Sequence, residues 1–225
     1  MLRSILTLVL LLITLPIYGE DNLTLARRYR QEALAYRNQE QFDRALELLQ
    51  KSVSLAPQDS NGWLVLGWTQ HLAGRSEQSA QSLWQAVYLQ SPPTEALNAL
   101  GIVYLVRGEL STAIILHSWA SLLKPDNEIA YYNLSLAYHR QKSYDLALTY
   151  AQTAVALEPA NPHPYLALAL AYGGLNQQEQ AIEHLRSALS LNPQYGDRDY
   201  QSNLLRAGFH QTQIDQVRAI LEQSR

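Results

Sequence analysis

The side chains with most chemistry to offer are six histidines, at 71, 117, 139, 163, 184 and 210. A metal centre or a general base would need them in close helical pairs with a carboxylate alongside, as in His-Glu-x-x-His. They are scattered instead, and His117 falls where a helix would bury a large apolar residue, so it reads as a packing histidine. There is no cysteine, which removes disulfides, zinc–thiolate sites and thiol nucleophiles together. No Gly-x-Ser-x-Gly, phosphate loop or dinucleotide fingerprint occurs. Gly173-Gly174 leads into Leu175-Asn176, a helix end and not a phosphate cradle. Carboxylates such as Glu77, Asp145, Glu179 and Glu183 sit at turns and on outer helix faces, where charge usually means solvation. Asn22-Leu-Thr24 and Asn133-Leu-Ser135 fit the glycosylation acceptor pattern and read as coincidence. These residues do not make an enzyme, and no cofactor or metal is expected.

Composition sets further bounds. Apolar residues make up 47% of the 225, charged residues 16%, and the net charge is -3. That is a folded chain whose surface is solvated largely by Gln, Asn, Ser and Thr, without the basic stripe that nucleic acid requires. Lysine is confined to Lys51, Lys124 and Lys142, a balance that suggests a bacterial protein. Residues 1–19 stand apart: Arg3, an apolar run from Ile5 to Leu15, Pro16, then small Gly19 before Glu20-Asp21. This is the layout of a secretory signal, cleaved after Gly19. The alternative is an uncleaved anchor, although the run is shorter than the roughly 20 residues a span needs. Either way the chain is expected outside the cytoplasm, in a periplasm or thylakoid lumen, or tied to a membrane by its N-terminus. Membrane contact is expected only if residues 1–19 are retained.

The elements that would position any site follow from a period of 34. Tyr36, Tyr104, Tyr138 and Tyr172 keep it, as do Leu66, Leu100, Leu134 and Leu168. Gly67 and Gly101 follow two of those leucines. Ala45, Ala113, Ala147 and Ala181 form another column, with Ser79 in the gap, and Ala86, Ala120, Ala154 and Ala188 a further one. Pro57, Pro125, Pro159 and Pro193 close units. Within a unit apolar residues recur at three and four, the signature of amphipathic helices. No unit can bury its own apolar face, so units must stack.

At these residues the chain resembles the tetratricopeptide repeat family, best in Leu97-x2-Leu100-Gly101-x2-Tyr104 with Gly108, Ala113, Ala120 and Pro125. The resemblance covers residues 26 to 195. It implies an all-α fold: a right-handed superhelical solenoid of five helix pairs within 20–195, followed by C-terminal capping helices in 196–225. The cap is expected as two helices, 199–207 and 211–223, sealing the last repeat with Leu204, Leu205, Phe209, Ile214, Val217, Ile220 and Leu221.

The family is a protein-interaction module whose ligand side is lined by positions 2, 5, 9 and 12 of each first helix. Transferred by register, these give a candidate peptide groove of Arg27, Arg30, Arg37, Leu64, Trp68, Asn98, Ile102, Leu105, Tyr132, Leu136, Leu166 and Leu170. Chaperone-binding members carry a Lys and Asn clamp there. Arg30 and Leu34 occupy its first two positions, so that specificity does not carry over. An apolar helix or extended segment is expected instead, with the arginines steering an acidic flank or a carboxylate. The alternative is that neighbouring helices cover these apolar residues. A second candidate surface lies on the convex side. Ile115, Trp119 and Leu122 recur at i, i+4, i+7 where the first unit has Glu47, Lys51 and Ser54, with Trp84 and Tyr88 nearby. Homodimerisation, membrane contact or a second partner would each fit, unless the register is rotated and Trp119 is core.

Overall fold

The computed structural model describes residues 21–224; the signal-like segment 1–19 lies outside the described residues. The chain forms ten α-helices in five antiparallel pairs: α1 (Asn22–Asn38) with α2 (Phe42–Leu55), α3 (Ser60–Leu72) with α4 (Ser76–Leu89), α5 (Thr94–Arg107) with α6 (Leu110–Leu123), α7 (Glu128–Arg140) with α8 (Tyr144–Leu157), and α9 (Pro162–Gly174) with α10 (Gln178–Leu191). Two 3-10 segments, Pro193–Gly196 and Tyr200–Ala207, and α11 (Gln211–Gln223) complete it. No strand occurs among the described residues. No described helix is long and apolar enough to cross a membrane.

Start and stop signals recur with the period. Asp59, Asn127 and Asn161 each accept from a backbone N–H in the first turn of α3, α7 and α9, satisfying a donor that the helix leaves unpaired. Asp21 does the same for α1. The turn between paired helices requires a left-handed residue in every unit, at Glu40, Gly74, Gly108, Lys142 and Asn176, with φ of 58°, 74°, 83°, 61° and 59°. Only two of the five are glycine, the residue that takes this backbone without strain.

Packing explains the small-residue columns. Ala45, Ala113, Ala147 and Ala181 are fully buried, as are Ala86, Ala120, Ala154 and Ala188. Where serine replaces alanine, its hydroxyl donates to the backbone: Ser79 to the Gly67 carbonyl at 2.7 Å and Ser52 to that of Ala26 at 2.8 Å. A Cβ on Gly67 would lie 2.6 Å from Leu83, and one on Gly101 only 2.4 Å from the His117 ring. These glycines let a large side chain of the second helix press on the first. Each first helix contacts the first helix of the next unit, in the order α1, α3, α5, α7, α9. Together they form the concave layer.

The C-terminal residues do more than seal the last repeat. Helix α11 packs on α9 and α10. Leu204, Phe209, Ile214, Val217 and Ile220 join one core cluster with Tyr132, Leu136, Leu166 and Leu170. Leu205 stays 39% exposed. The segment from Tyr195 to Gln213 is a strap laid back across the concave layer, and it decides what remains of the groove.

Candidate functional site

Three concave histidines meet the strap. His71 Nε2 lies 3.3 Å from the Arg206 carbonyl, His163 Nε2 lies 2.8 Å from the Tyr195 hydroxyl, and His139 Nδ1 lies 3.3 Å from Gln213 Nε2. Tyr132 donates its hydroxyl to the Ala207 carbonyl at 3.4 Å, and Gln213 Nε2 donates to the Leu136 carbonyl at 3.2 Å. At the far end Arg206 reaches Glu40, in the first unit, at 2.9 Å. Gly208, with φ of +93°, passes so close to the concave floor that a Cβ would sit 2.8 Å from Asn133 Oδ1 and 3.5 Å from Leu105 Cδ1. Glycine is required there on both counts.

The strap divides the expected groove. Leu105, Leu136, Leu166 and Leu170 are at most 1% exposed. The family register offers them to a partner, and instead they are covered within the chain: an apolar strip beside its own tethered apolar segment is buried without the entropy cost of bringing two molecules together. What stays open is an apolar trough of about 650 Å3, lined by Leu64, Val65, Trp68, Ala99, Ile102 and Ile129, with Tyr132, His163, Tyr195, Asn203 and Ala207 along the strap side and Arg37, Glu95, Asn98 and Arg206 around the rim. Trp68 stacks near His71, centroids 4.9 Å apart. A larger cleft of about 830 Å3 lies between α2 and α4, but glutamines and the Arg75–Asp43 pair line it, so little apolar surface could be buried there.

Two polar residues expected to face a ligand are used inside the fold. Arg30 pairs with Asp59 at 2.7 Å, both side chains mostly buried. Asn98 and Asn127 exchange amide hydrogen bonds at 3.0 and 3.2 Å. The two pairs are equivalent by the 34-residue register: each ties the fifth position of one repeat to the N-cap of the next first helix. Their donors and acceptors therefore fix the spacing between units. Arg27 is solvent-exposed and outside the trough. Arg37 alone of the three arginines lines it. It is half-buried, burial pulls its pKa down from the ordinary value, and no described carboxylate pairs with it.

On the convex side Ile115, Trp119, Leu122 and Tyr88 are exposed, by 65%, 42%, 80% and 77%. Trp84 is not part of that stripe. Its indole donates to the Tyr104 hydroxyl at 3.3 Å and packs against the core of the second and third units.

Family models of the tetratricopeptide repeat match residues 30–93, 129–161 and 162–195. The chain is a tetratricopeptide repeat protein. Solved structures agree on the fold of this repeat protein. A crystal structure of MamA is 25% identical over 76% of this chain and 93% of its own, with a TM-score of 0.61. TTC0263, a thermophilic TPR protein of Thermus thermophilus, is 21% identical over 81% and 98%, TM-score 0.67. PilW, a widely conserved type IV pilus biogenesis factor, is 19% identical over 88% and 92%, TM-score 0.70. No curated protein matches the chain.

The TPR register places the concave face but not the strap that lies on it. Tyr195, the last residue of the final repeat, and Asn203, Arg206 and Ala207, which lie beyond the repeats, line the trough. Gly208-Phe209, a lone glycine before a lone phenylalanine, is the available signal. Phe209 is 1% exposed and its ring lies 6.3 Å from that of His163.

Proposed function

We propose that this repeat protein is a non-catalytic scaffold that holds a short apolar segment of a partner protein in the trough between α3, α5, α7 and the strap. The observation that supports it most is the half-buried Arg37 at the rim of an apolar floor, where Glu95 also stands but no described carboxylate pairs with the guanidinium. Burying a guanidinium without a counter-charge is costly, and a partner carboxylate, on a side chain or at a chain end, would offset that cost with charge-assisted hydrogen bonds. Apolar contact with Leu64, Trp68 and Ile102 would supply affinity, at roughly 25 cal/mol per Å2 buried before association costs. The trough is short, so the segment is one or two helical turns or a few extended residues.

The protein works outside the cytoplasm, either free after loss of residues 1–19 or held at a membrane by them as an assembly factor for a membrane complex. The apolar run from Ile5 to Leu15 supports both. N-terminal sequencing of the mature protein separates them: a first residue near Glu20 means release, and an intact Met1 means anchoring.

The trough reading is tested by selecting peptides on the native chain and titrating them against variants. Selected sequences should combine two or three apolar residues with a carboxylate. Trp68→Ala with Ile102→Ala should abolish their binding, and Arg37→Gln should weaken it about tenfold. Full affinity in the double variant would overturn the reading.

A further inference from the structure

The outer face of α6 differs from those of the other second helices. Its positions 115, 119 and 122 hold Ile, Trp and Leu; the equivalent positions hold Glu, Lys and Ser in α2, Gln, Gln and Tyr in α4, Thr, Thr and Ala in α8, and Glu, Ser and Ser in α10. Leu122 is 80% exposed and Ile115 65%, so neither contributes much to the stack itself. Tyr88, 77% exposed, adds to the patch from α4. An exposed stripe of this kind on one unit is an interaction surface.

We propose that this stripe is the contact between two copies of the chain, α6 packing antiparallel on α6 about a two-fold axis. Charge decides for a second copy. In a two-fold contact the patch meets itself, so a charge near the axis would face its own kind, and none of the residues of α6, Leu110–Leu123, is charged. The ends of α6 are complementary instead. Glu109, which also pairs with Arg107 at 2.7 Å, caps its start and Lys124 its end, both exposed. The other second helices have no such opposite pair: their caps are Gln41 and Ala56, Arg75 and Gln90, Ser143 and Glu158, Gln177 and Asn192. Antiparallel alignment brings each Lys124 towards Glu109 of the other copy. The area is also suitable. Ile115, Leu122 and Tyr88, mostly exposed, together with the partly exposed Trp119, give on the order of 500 Å2 of apolar surface per copy. With a polar rim this approaches the roughly 800 Å2 per partner of a standard interface. The contact lies on the side away from the trough, so a dimer would present two open troughs, and it stands independently of the trough reading.

The test is the mass of the full chain by light scattering and sedimentation, from about 1 to about 100 μM. The native chain should reach twice the monomer mass at the upper end. Leu122→Glu and Ile115→Glu should remain monomeric throughout with unchanged helicity and Tm. In a mixture of isotope-labelled and unlabelled native chains, carbodiimide should join Lys124 of one copy to Glu109 of the other. A native chain that stays monomeric at every concentration overturns the proposal. So does association that both variants retain, or a monomer whose binding to phosphatidylglycerol vesicles is lost in Leu122→Glu.

Discussion

His117 is the residue least suited to its place. It is fully buried, neither ring nitrogen has a partner in hydrogen-bond geometry, and burial pushes its pKa down to about 3 from 6.5. The equivalent residue is leucine in α4 and α10, and Gly101 leaves the same room that Gly67 leaves for Leu83. His117→Leu should therefore stabilise the protein by about 1 kcal/mol at pH 7, where an unsatisfied polar group is removed. The sign of the pH effect follows from the lowered pKa. Above pH 6.5 the imidazole is neutral folded and unfolded. As pH falls below 6.5 the unfolded chain takes up a proton that the folded chain refuses, so stability is lost until the folded pKa is passed. The advantage of His117→Leu should thus grow by roughly 2 kcal/mol at pH 5, measured by urea unfolding at the two pH values. Lys142 is strained in another way. It holds φ of +61° in a turn where two other units have glycine, so Lys142→Gly should raise stability by about 0.5–1 kcal/mol in the same assay.

At the scale of elements the strap is a second acid-sensitive part, besides the surroundings of His117 in α6. His139 is pushed down to about 4 and His71 and His163 are lowered, chiefly by burial, and all three contact the strap. His210, within the strap, is lowered too, by burial and then by Arg140. Burial beneath the strap makes His139 and His163 harder to protonate with it in place than with it lifted, while the Arg206 carbonyl acts the other way on His71, so falling pH favours lifting through the first two. Protection factors at residues 200–214, taken relative to the intrinsic exchange rate at each pH, should fall between pH 7 and pH 5 before those of α1 to α4 do. A protection profile that falls evenly along the chain would contradict this.

For the whole molecule, the strap adds long-range contacts to a stack in which units otherwise meet only their neighbours. Its two ends matter unequally. The Arg206–Glu40 pair joins the strap to the first unit across exposed side chains, 46% and 66% accessible, and pairs of that kind contribute about 0–1 kcal/mol. Phe209 is buried in the C-terminal core, and its loss to alanine costs about 3–5 kcal/mol. Phe209→Ala should release the strap, expose Leu136 and Leu166, and enlarge the radius of gyration in solution scattering. Arg206→Ala should leave the radius unchanged.

The sequence alone determined the helix pairs, their period and the stacking, because each depends on local spacing: apolar residues at three and four, alanine where helices touch, asparagine or aspartate at the caps. It also marked the exposed stripe of α6, since isoleucine and tryptophan at positions that are polar in every other unit need no coordinates to be noticed. Tertiary structure decided which concave residues are free. Arg30 and Asn98 look like ligand-binding groups until Asp59 and Asn127 are found against them, 29 residues away along the chain. Leu105, Leu136, Leu166 and Leu170 look like a groove until residues from Leu204 to Ile220 are found beside them. A repeat pattern encodes what each unit does with the next. The strap crosses several units at once through unique residues, and such contacts exist only after the chain has folded back on itself.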